Sequence, residues 1–365
     1  MSIPLVDRSE SQANIAQPVE CLVAERGGGA VGAIAFRRIH GLGNDYVFLA
    51  EADASRFDRR HLAMALADRH FGVGGDGLIT VEPLAEGDAD LRMRMWNADG
   101  SESGMCGNGL RGAVRFALTG GLGEPVAERL EALLRGGRAI RVRIGRSVVA
   151  AKAFASGDGT FEVEIDLGPP ILAAGEIPVE VAGVAANEPL LSRSAATIGA
   201  CEAAIDLDRE RTKGGSLEGL RSWGCVSMGN PHLVLELGSV GEVEAFELTR
   251  LGPRFEHAAS FPQRINVHVA AAIDRHRFRM RTWERGSGIT MACGSGACAA
   301  FVALRHRGLL GDRAVGELPG GVLRLATTAE GSILMRGEAF ESCRGTVEPM
   351  AILARLGLAA AETRG

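Results

Sequence analysis

RTWERGSGITMACGSGACAA, residues 281 to 300, sets one cysteine, Cys293, between glycines directly ahead of an alanine-rich run. The earlier stretch RMRMWNADGSESGMCGNGLRG, residues 92 to 112, repeats that arrangement almost position for position. RMRMW (Arg92 to Trp96) returns as RMRTW (Arg279 to Trp283), and in both copies the cysteine follows the tryptophan by ten residues. A repeat of this long period is not a solenoid unit but the mark of a duplication.

Each copy opens on an alternating segment. Leu91, Met93 and Met95 alternate with Arg92 and Arg94, and Phe278, Met280 and Thr282 with Arg277, Arg279 and Arg281, which is the two-residue period of a half-buried strand. Beyond Cys106, Leu110, Ala113, Val114, Ala117 and Leu118 follow helical spacing up to a stop at Gly120 and Gly121. Beyond Cys293, Ala297, Ala300, Phe301 and Leu304 do the same, with Arg305, His306 and Arg307 near the C-terminal end and Gly308 closing it. Both cysteines thus fall at the start of a small, largely apolar helix. Such a helix is wrapped by other structure, so each is expected to run through the middle of a curved sheet, giving two similar α/β halves.

The remainder of the chain is consistent with this. Short apolar runs punctuated by glycine predominate from Ala35 onward, and a helix is expected over His61 to His70 with Leu62, Ala65 and Leu66 on one face. Residues 1–33 lack a periodic pattern and read as a flexible extension. The stretches ILAAGEIPVE and AANEPLLSRSAATIGA read as strands and loops.

At 365 residues and 46% hydrophobic content the chain can bury two cores, and its net charge of −5 argues against a nucleic-acid or anionic-membrane partner. No apolar run is long enough to span a bilayer, and no secretory signal opens the sequence, so a cytoplasmic location is expected. Seven cysteines fit reduced thiols rather than a disulfide framework. Of these, Cys201, Cys225, Cys298 and Cys343 are expected in the core. The histidines show no paired-ligand spacing and there is no CxxC, so no metal is expected, and GVGGDG without a following lysine is no phosphate loop.

A helix start offers unpaired N–H groups and the positive end of the dipole, which favours a thiolate and is expected to lower its pKa below about 8.5. The same N–H groups hold carboxylates. Two such sites facing one cleft would flank one small anionic substrate. That geometry suits cofactor-free inversion at the α-carbon of an amino acid, one cysteine removing a proton while the other returns one from the opposite face. General acid–base catalysis contributes only about 10² to 10⁴, so the helix ends must also stabilise the carbanion charge.

At HGLGNDY (40 to 46), RHFGVGGDG (69 to 77), WNADGSESGMCGNG (96 to 109), SMGNPH (227 to 232), INV (265 to 267) and ERGSGITMACGSGACA (284 to 299) the chain resembles the diaminopimelate epimerases, a pyridoxal-phosphate-independent family of lysine and peptidoglycan synthesis. The resemblance implies two pseudosymmetric domains, each a curved, mostly antiparallel sheet around a central helix, with the active site in the cleft between them. By it, residues 34–167 with 337–356 form the half carrying Cys106, and 168–336 the half carrying Cys293. It implies no cofactor, a diaminopimelate substrate that epimerises between the LL and meso forms, and a homodimer as the assembly its members often form. Cys106 and Cys293 become the acid/base pair. Gly107, Asn108, Gly294 and Ser295 would bind the reacting carboxylate with Asn44 nearby, and Asn97, Asn230, Asn266, Glu284 and Arg285 the distal amino-acid head group, while His232 supports the reacting centre. Arg285 suits a bidentate carboxylate pair and Glu284 an ammonium. One departure bears on substrate orientation: Ile289 stands where many members carry a glutamate close to the second cysteine.

Overall fold

The computed structural model describes residues 32–104, 106–156, 159–201 and 217–358. All but the last two positions of the expected N-terminal extension lie outside the described residues. Among the described residues eighteen strands are joined into one hydrogen-bonded sheet. In chain order they are β1 (Ile34–Gly41), β2 (Asn44–Ala50), β3 (Gly77–Pro83), β4 (Leu91–Asn97), β5 (Glu102–Ser103), β6 (Ile140–Ile144), β7 (Ser147–Ala155), β8 (Phe161–Asp166) and β9 (Arg193–Ser194), then β10 (Leu220–Ser227), β11 (Pro231–Leu237), β12 (Asn266–Asp274), β13 (Arg277–Glu284), β14 (Gly288–Thr290), β15 (Arg313–Leu318), β16 (Gly321–Thr327), β17 (Ile333–Glu338) and β18 (Phe340–Val347).

The pairing order displays the duplication. Outward from β8 the sheet runs β7, β6, β4, β3, β2, β1, β18; outward from β17, which pairs with β8, it runs β16, β15, β13, β12, β11, β10, β9. Parallel pairs fall at matching places: β2 with β3 and β11 with β12, then β4 with β6 and β13 with β15. The remaining pairs are antiparallel. A parallel pair needs a crossover, and the segment that crosses from β4 to β6 contains the helix Gly107–Leu118 as that from β13 to β15 contains the helix Gly294–His306.

Both helices run through the interior. Leu110, Ala113, Val114 and Ala117 of the first are fully buried, as are Ala297, Ala300, Phe301 and Leu304 of the second. The spacing read from the sequence therefore selects the packed faces. Thr119 ends the first helix before Gly120 at φ +84°, and Arg307 the second before Gly308 at φ +74°. Close packing explains the small residues: a Cβ on Gly112 would lie 2.4 Å from Phe48 Cζ.

Four sequence expectations need amendment. The helix expected over 61–70 runs Arg59–Ala67, because Asp58 accepts the Arg60 and His61 N–H groups at its start while Asp68, by accepting those of His70 and Phe71, turns the chain away. A second amphipathic helix, Glu124–Arg135, has Pro125 in its first turn and no counterpart in the sequence reading. The stretch 195–201 is a 3₁₀ helix rather than strand or loop; Ala195, Ile198 and Cys201 bury against Leu190, Trp223 and Cys225. Finally, Cys343 is exposed while Cys201, Cys225 and Cys298 are buried, since among the described strands β18 pairs with β1 alone and stands at the sheet edge.

Gly112→Ala is expected to lower the thermal unfolding midpoint. Alanine is the better helix former by about 1 kcal/mol, but overpacking against Phe48 costs about 1–3 kcal/mol. A raised midpoint would show that the helix is not clamped against the sheet.

Candidate active site

Cys106 and Cys293 are the N-cap residues of the two buried helices, each in extended backbone at φ −136° and −124°. The Gly109 N–H donates to Cys106 Sγ at 3.3 Å, so this sulfur already uses one of the free donors of its helix. Cys293 Sγ lies 3.9 Å from Ser295 Oγ.

The two helix starts converge. A methyl group on Gly107 would fall 2.7 Å from Met335 Cε, and one on Gly294 would fall 3.0 Å from the same atom. Asn108 bridges the halves, its Nδ2 donating to Asn44 Oδ1 at 3.2 Å and to the Ala292 carbonyl at 3.5 Å. Beneath them lies Arg111, fully buried. Its guanidinium donates to the Glu338 carbonyl at 3.2 Å and Asn108 Oδ1 at 2.6 Å, and meets Met335 Sδ at 3.9 Å; none of these partners is anionic. Burial pushes its pKa down to about 10, which still leaves it charged at neutral pH. Gly41 and Gly337 leave it room, a Cβ at the former being 2.6 Å from Nη2.

The register relates further residues in pairs. Tyr46 opens the parallel pairing of β2 with β3 as His232 opens that of β11 with β12. Asn44 and Asn230 precede them by two residues, and Gly43 and Gly229 precede those at φ +87° and +94°. Gly-Asn-Asp-Tyr and Gly-Asn-Pro-His are thus a second repeated motif, which the sequence carries but which only the register makes plain. Their chemistry differs. The Tyr46 hydroxyl lies 3.6 Å from Cys106 Sγ, with Asn44 Oδ1 3.8 Å from that sulfur. His232, by contrast, joins a buried relay: Nε2 to Asn230 Oδ1 at 2.9 Å and Nδ1 to His268 Nε2 at 2.9 Å, with His268 Nδ1 3.0 Å from Thr282 Oγ1.

The other candidates fall at the same end of the sheet. Asn97 pairs with Gly77, which pairs with Tyr46, and its amide donates to Ser101 Oγ at 2.9 Å. Asn266 Nδ2 donates to the Pro231 carbonyl at 2.9 Å and its Oδ1 accepts the Arg285 N–H at 2.9 Å. Arg285 is exposed, donating to the Gln263 carbonyl at 2.7 Å. Thr290 donates to Glu284 at 2.6 Å, whereas its neighbour Ile289 is exposed. Asp76 and Tyr46, like Arg111 and His268, were not singled out by the sequence reading. Asp76 accepts from Asn44 Nδ2 at 2.8 Å and acts electrostatically on Glu284 across the two halves, and Tyr46 is described above.

The expected lowering of the thiol pKa does not hold. Burial, the largest influence, pushes both thiols up; for Cys293 the Glu284 carboxyl adds to the rise, and for Cys106 it does so more weakly. The N–H groups of Gly109 and Gly296 oppose this and lose. Burial likewise raises Glu284, Tyr46 stays a phenol, and both histidines of the relay are held neutral, His268 pushed down to about 3. One carboxyl thus acts on both sulfurs from within the site.

A sequence profile described as diaminopimelate epimerase matches residues 36–157 and 224–341, one segment for each repeat. A diaminopimelate epimerase from a Cyanothece species is 37% identical over 319 residues, 86% of this chain and 100% of the relative. That of Rhodospirillum centenum is 40% identical over 83% of this chain and 88% of its own. Among solved structures, a Pseudomonas aeruginosa protein described as a predicted epimerase superposes with a TM-score of 0.55 at 17% identity, covering 86% of this chain and 99% of its own. A Bacillus anthracis phenazine biosynthesis protein of the PhzF family does so at 0.56 and 13% identity, covering 87% and 99%. At such identity these two speak for the fold alone.

The direction of the thiol shifts has a measurable outcome. Alkylation of Cys293 by iodoacetamide in the substrate-free protein should accelerate only above the titration of free cysteine, about pH 8.5. A rate already maximal at neutral pH would show that helix-end stabilisation outweighs burial.

Proposed function

The chain belongs to the diaminopimelate epimerase family, and we propose that Cys106 and Cys293 carry out its reaction, the interconversion of LL- and meso-2,6-diaminopimelate by proton transfer at one α-carbon. The observation that carries this reading is the meeting of two cysteine-capped helix starts at one methionine methyl group, with the Tyr46 hydroxyl and Asn44 Oδ1 against one sulfur and Ser295 Oγ against the other.

The substrate's α-carboxylate sits on the N–H groups of Gly107, Asn108, Gly294 and Ser295, with Asn44 beside it. The two helix dipoles and the Arg111 guanidinium then favour negative charge where it gathers as the Cα–H bond breaks. One sulfur, as thiolate, takes the proton; the other, as thiol, delivers its own to the opposite face; the roles exchange in the reverse direction. Two bonds to hydrogen are broken and two formed, and no cofactor enters. Removing water from around the thiolate raises its basicity, consistent with thiols that burial has already pushed up.

Selectivity belongs to the distal head group. Asn97, Asn230, Asn266, Glu284 and Arg285 present amides, a carboxyl and a guanidinium, the donors and acceptors that an ammonium and a carboxylate require. His232 acts in support by holding the Asn230 amide through its 2.9 Å hydrogen bond. By the same reading residues 34–167 with 337–356 form one half, 168–336 the other, and the β8–β17 ladder joins them. The enzyme works in the cytoplasm, and a second copy adds along the free edge of β18, which pairs with β1 alone among the described strands. No helix of the described residues is long and apolar enough to cross a membrane.

Cys106→Ala and Cys293→Ala should each lower kcat for epimerisation by at least about 10² to 10⁴, with folding unchanged by circular dichroism. Near wild-type turnover in either variant would remove the two-thiol reading.

A further inference from the structure

Beside Cys293 the fold assembles two imidazoles that no proton-transfer step uses. The ligand atoms of His232, His268 and Cys293 all lie within 4.8 Å of one another, and all three residues are buried. The symmetry-related place in the other half shows how unusual this is. His268 pairs with Thr282 across β12 and β13 where Ile79 pairs with Met95 across β3 and β4. An apolar pair fills that position beside Cys106; an imidazole and a hydroxyl fill it beside Cys293, where His232 adds a second imidazole in the place that Tyr46 takes in the first half. The second helix is cut away to admit the ring: a Cβ on Gly296 would fall 2.2 Å from His268 Cε1.

We propose that Cys293, His232 and His268 form a binding site for a thiophilic divalent cation, Zn²⁺ in the first instance, whose occupation ties up the thiol and blocks epimerisation. Thiolate and imidazole are both ligands that Zn²⁺ takes in tetrahedral sites, and three protein ligands leave a fourth position for water. Tetrahedral geometry at Zn–N of about 2.0–2.1 Å separates the two nitrogens by about 3.3 Å. They stand 2.9 Å apart, so the nitrogens part by a few tenths of an ångström while the sulfur, within 4.8 Å of them, draws in to the roughly 3.5 Å that tetrahedral Zn–S and Zn–N bonds require. Each ring keeps an outer partner on its remaining nitrogen, Asn230 Oδ1 for His232 and Thr282 Oγ1 for His268, the arrangement that orients metal-bound histidines. The Thr282 hydroxyl is either donor or acceptor, so His268 can carry its proton on Nδ1 and turn a lone pair at Nε2 toward the ion. Binding releases the Cys293 thiol proton to buffer; both imidazoles are neutral before and after, as their burial dictates. The site itself does not depend on the epimerase reading; the block on turnover does.

The test is a titration of the reduced protein with Co²⁺ or Zn²⁺ alone, without substrate. Co²⁺ should give the absorption of a tetrahedral site with one thiolate. That signal should survive Cys106→Ser, which on the proposed mechanism abolishes turnover, and vanish in Cys293→Ser. His268→Gln should weaken Zn²⁺ binding about 100-fold or more, a ligand counting for at least as much as an outer-shell partner. In the wild type, Zn²⁺ should protect Cys293 and not Cys106 from iodoacetamide, read by mass spectrometry, which settles the matter even where a variant fails to fold. Binding that is absent, that persists undiminished in a folded His268→Gln protein, or that leaves Cys293 alkylation unprotected overturns the site. Binding as expected with turnover unaffected by Zn²⁺ would instead overturn the role of Cys293 in catalysis.

Discussion

Two helices aimed at one point, each ending in unpaired N–H groups, concentrate positive potential where the protein has excluded water. Gly107 and Gly294, the first residues of these helices, press on one methyl group of Met335, and the Arg111 guanidinium below them has no anionic partner among its contacts. Both features favour an anion at this point. The proposed substrate carboxylate supplies that anion, and the charge that builds on it in the transition state is stabilised further by the same groups. Thiols raised by burial fit this view. They hold their protons at neutral pH, and a thiolate that does form there is a stronger base than one in water.

Duplication supplied the geometry and divergence supplied the chemistry. The two halves share strand order, parallel pairings, a glycine with positive φ ahead of an asparagine, and a cysteine at a helix cap. They differ at the residues proposed to tell the two ends of a substrate apart. Tyr46 stands where His232 stands, Ile79 where His268 does, and Asn97 with Ala98 where the other copy has Glu284 with Arg285. Arg111 follows Cys106 by five residues as Cys298 follows Cys293, so one guanidinium serves both helix ends and the second copy needs only a small residue. A symmetric pair of thiols in an asymmetric wall is what a substrate with one reacting and one held centre requires.

Much of this was legible in the sequence because the signals were local. Alternation at Leu91–Met95 and Phe278–Thr282 gave the strands, and the spacing from Leu110 to Ala117 and from Ala297 to Leu304 gave the buried helix faces. The helix over 59–67 was displaced at both ends because Asp58 and Asp68, rather than the apolar pattern, decide where it begins and stops. Cys343 was misplaced because a strand at the sheet edge shows the same residue types as one inside it. The His232–His268 relay lay beyond reach of spacing: its members sit on separate strands, 36 residues apart, and meet only through the parallel register of β11 and β12. The thiol shifts ran opposite to expectation because a helix end is visible in sequence and the depth of its burial is not.

The central claim is that two different sulfurs address opposite faces of one carbon. Early turnover of LL-diaminopimelate in D₂O, followed by mass spectrometry of both stereoisomers, tests it most directly. The account predicts deuterium at the inverted Cα of the meso product while unreacted LL substrate stays protiated, since the acid that delivers the new proton is not the base that removed the old one. Product that keeps the substrate's own proton would show a single base acting on both faces and would contradict it.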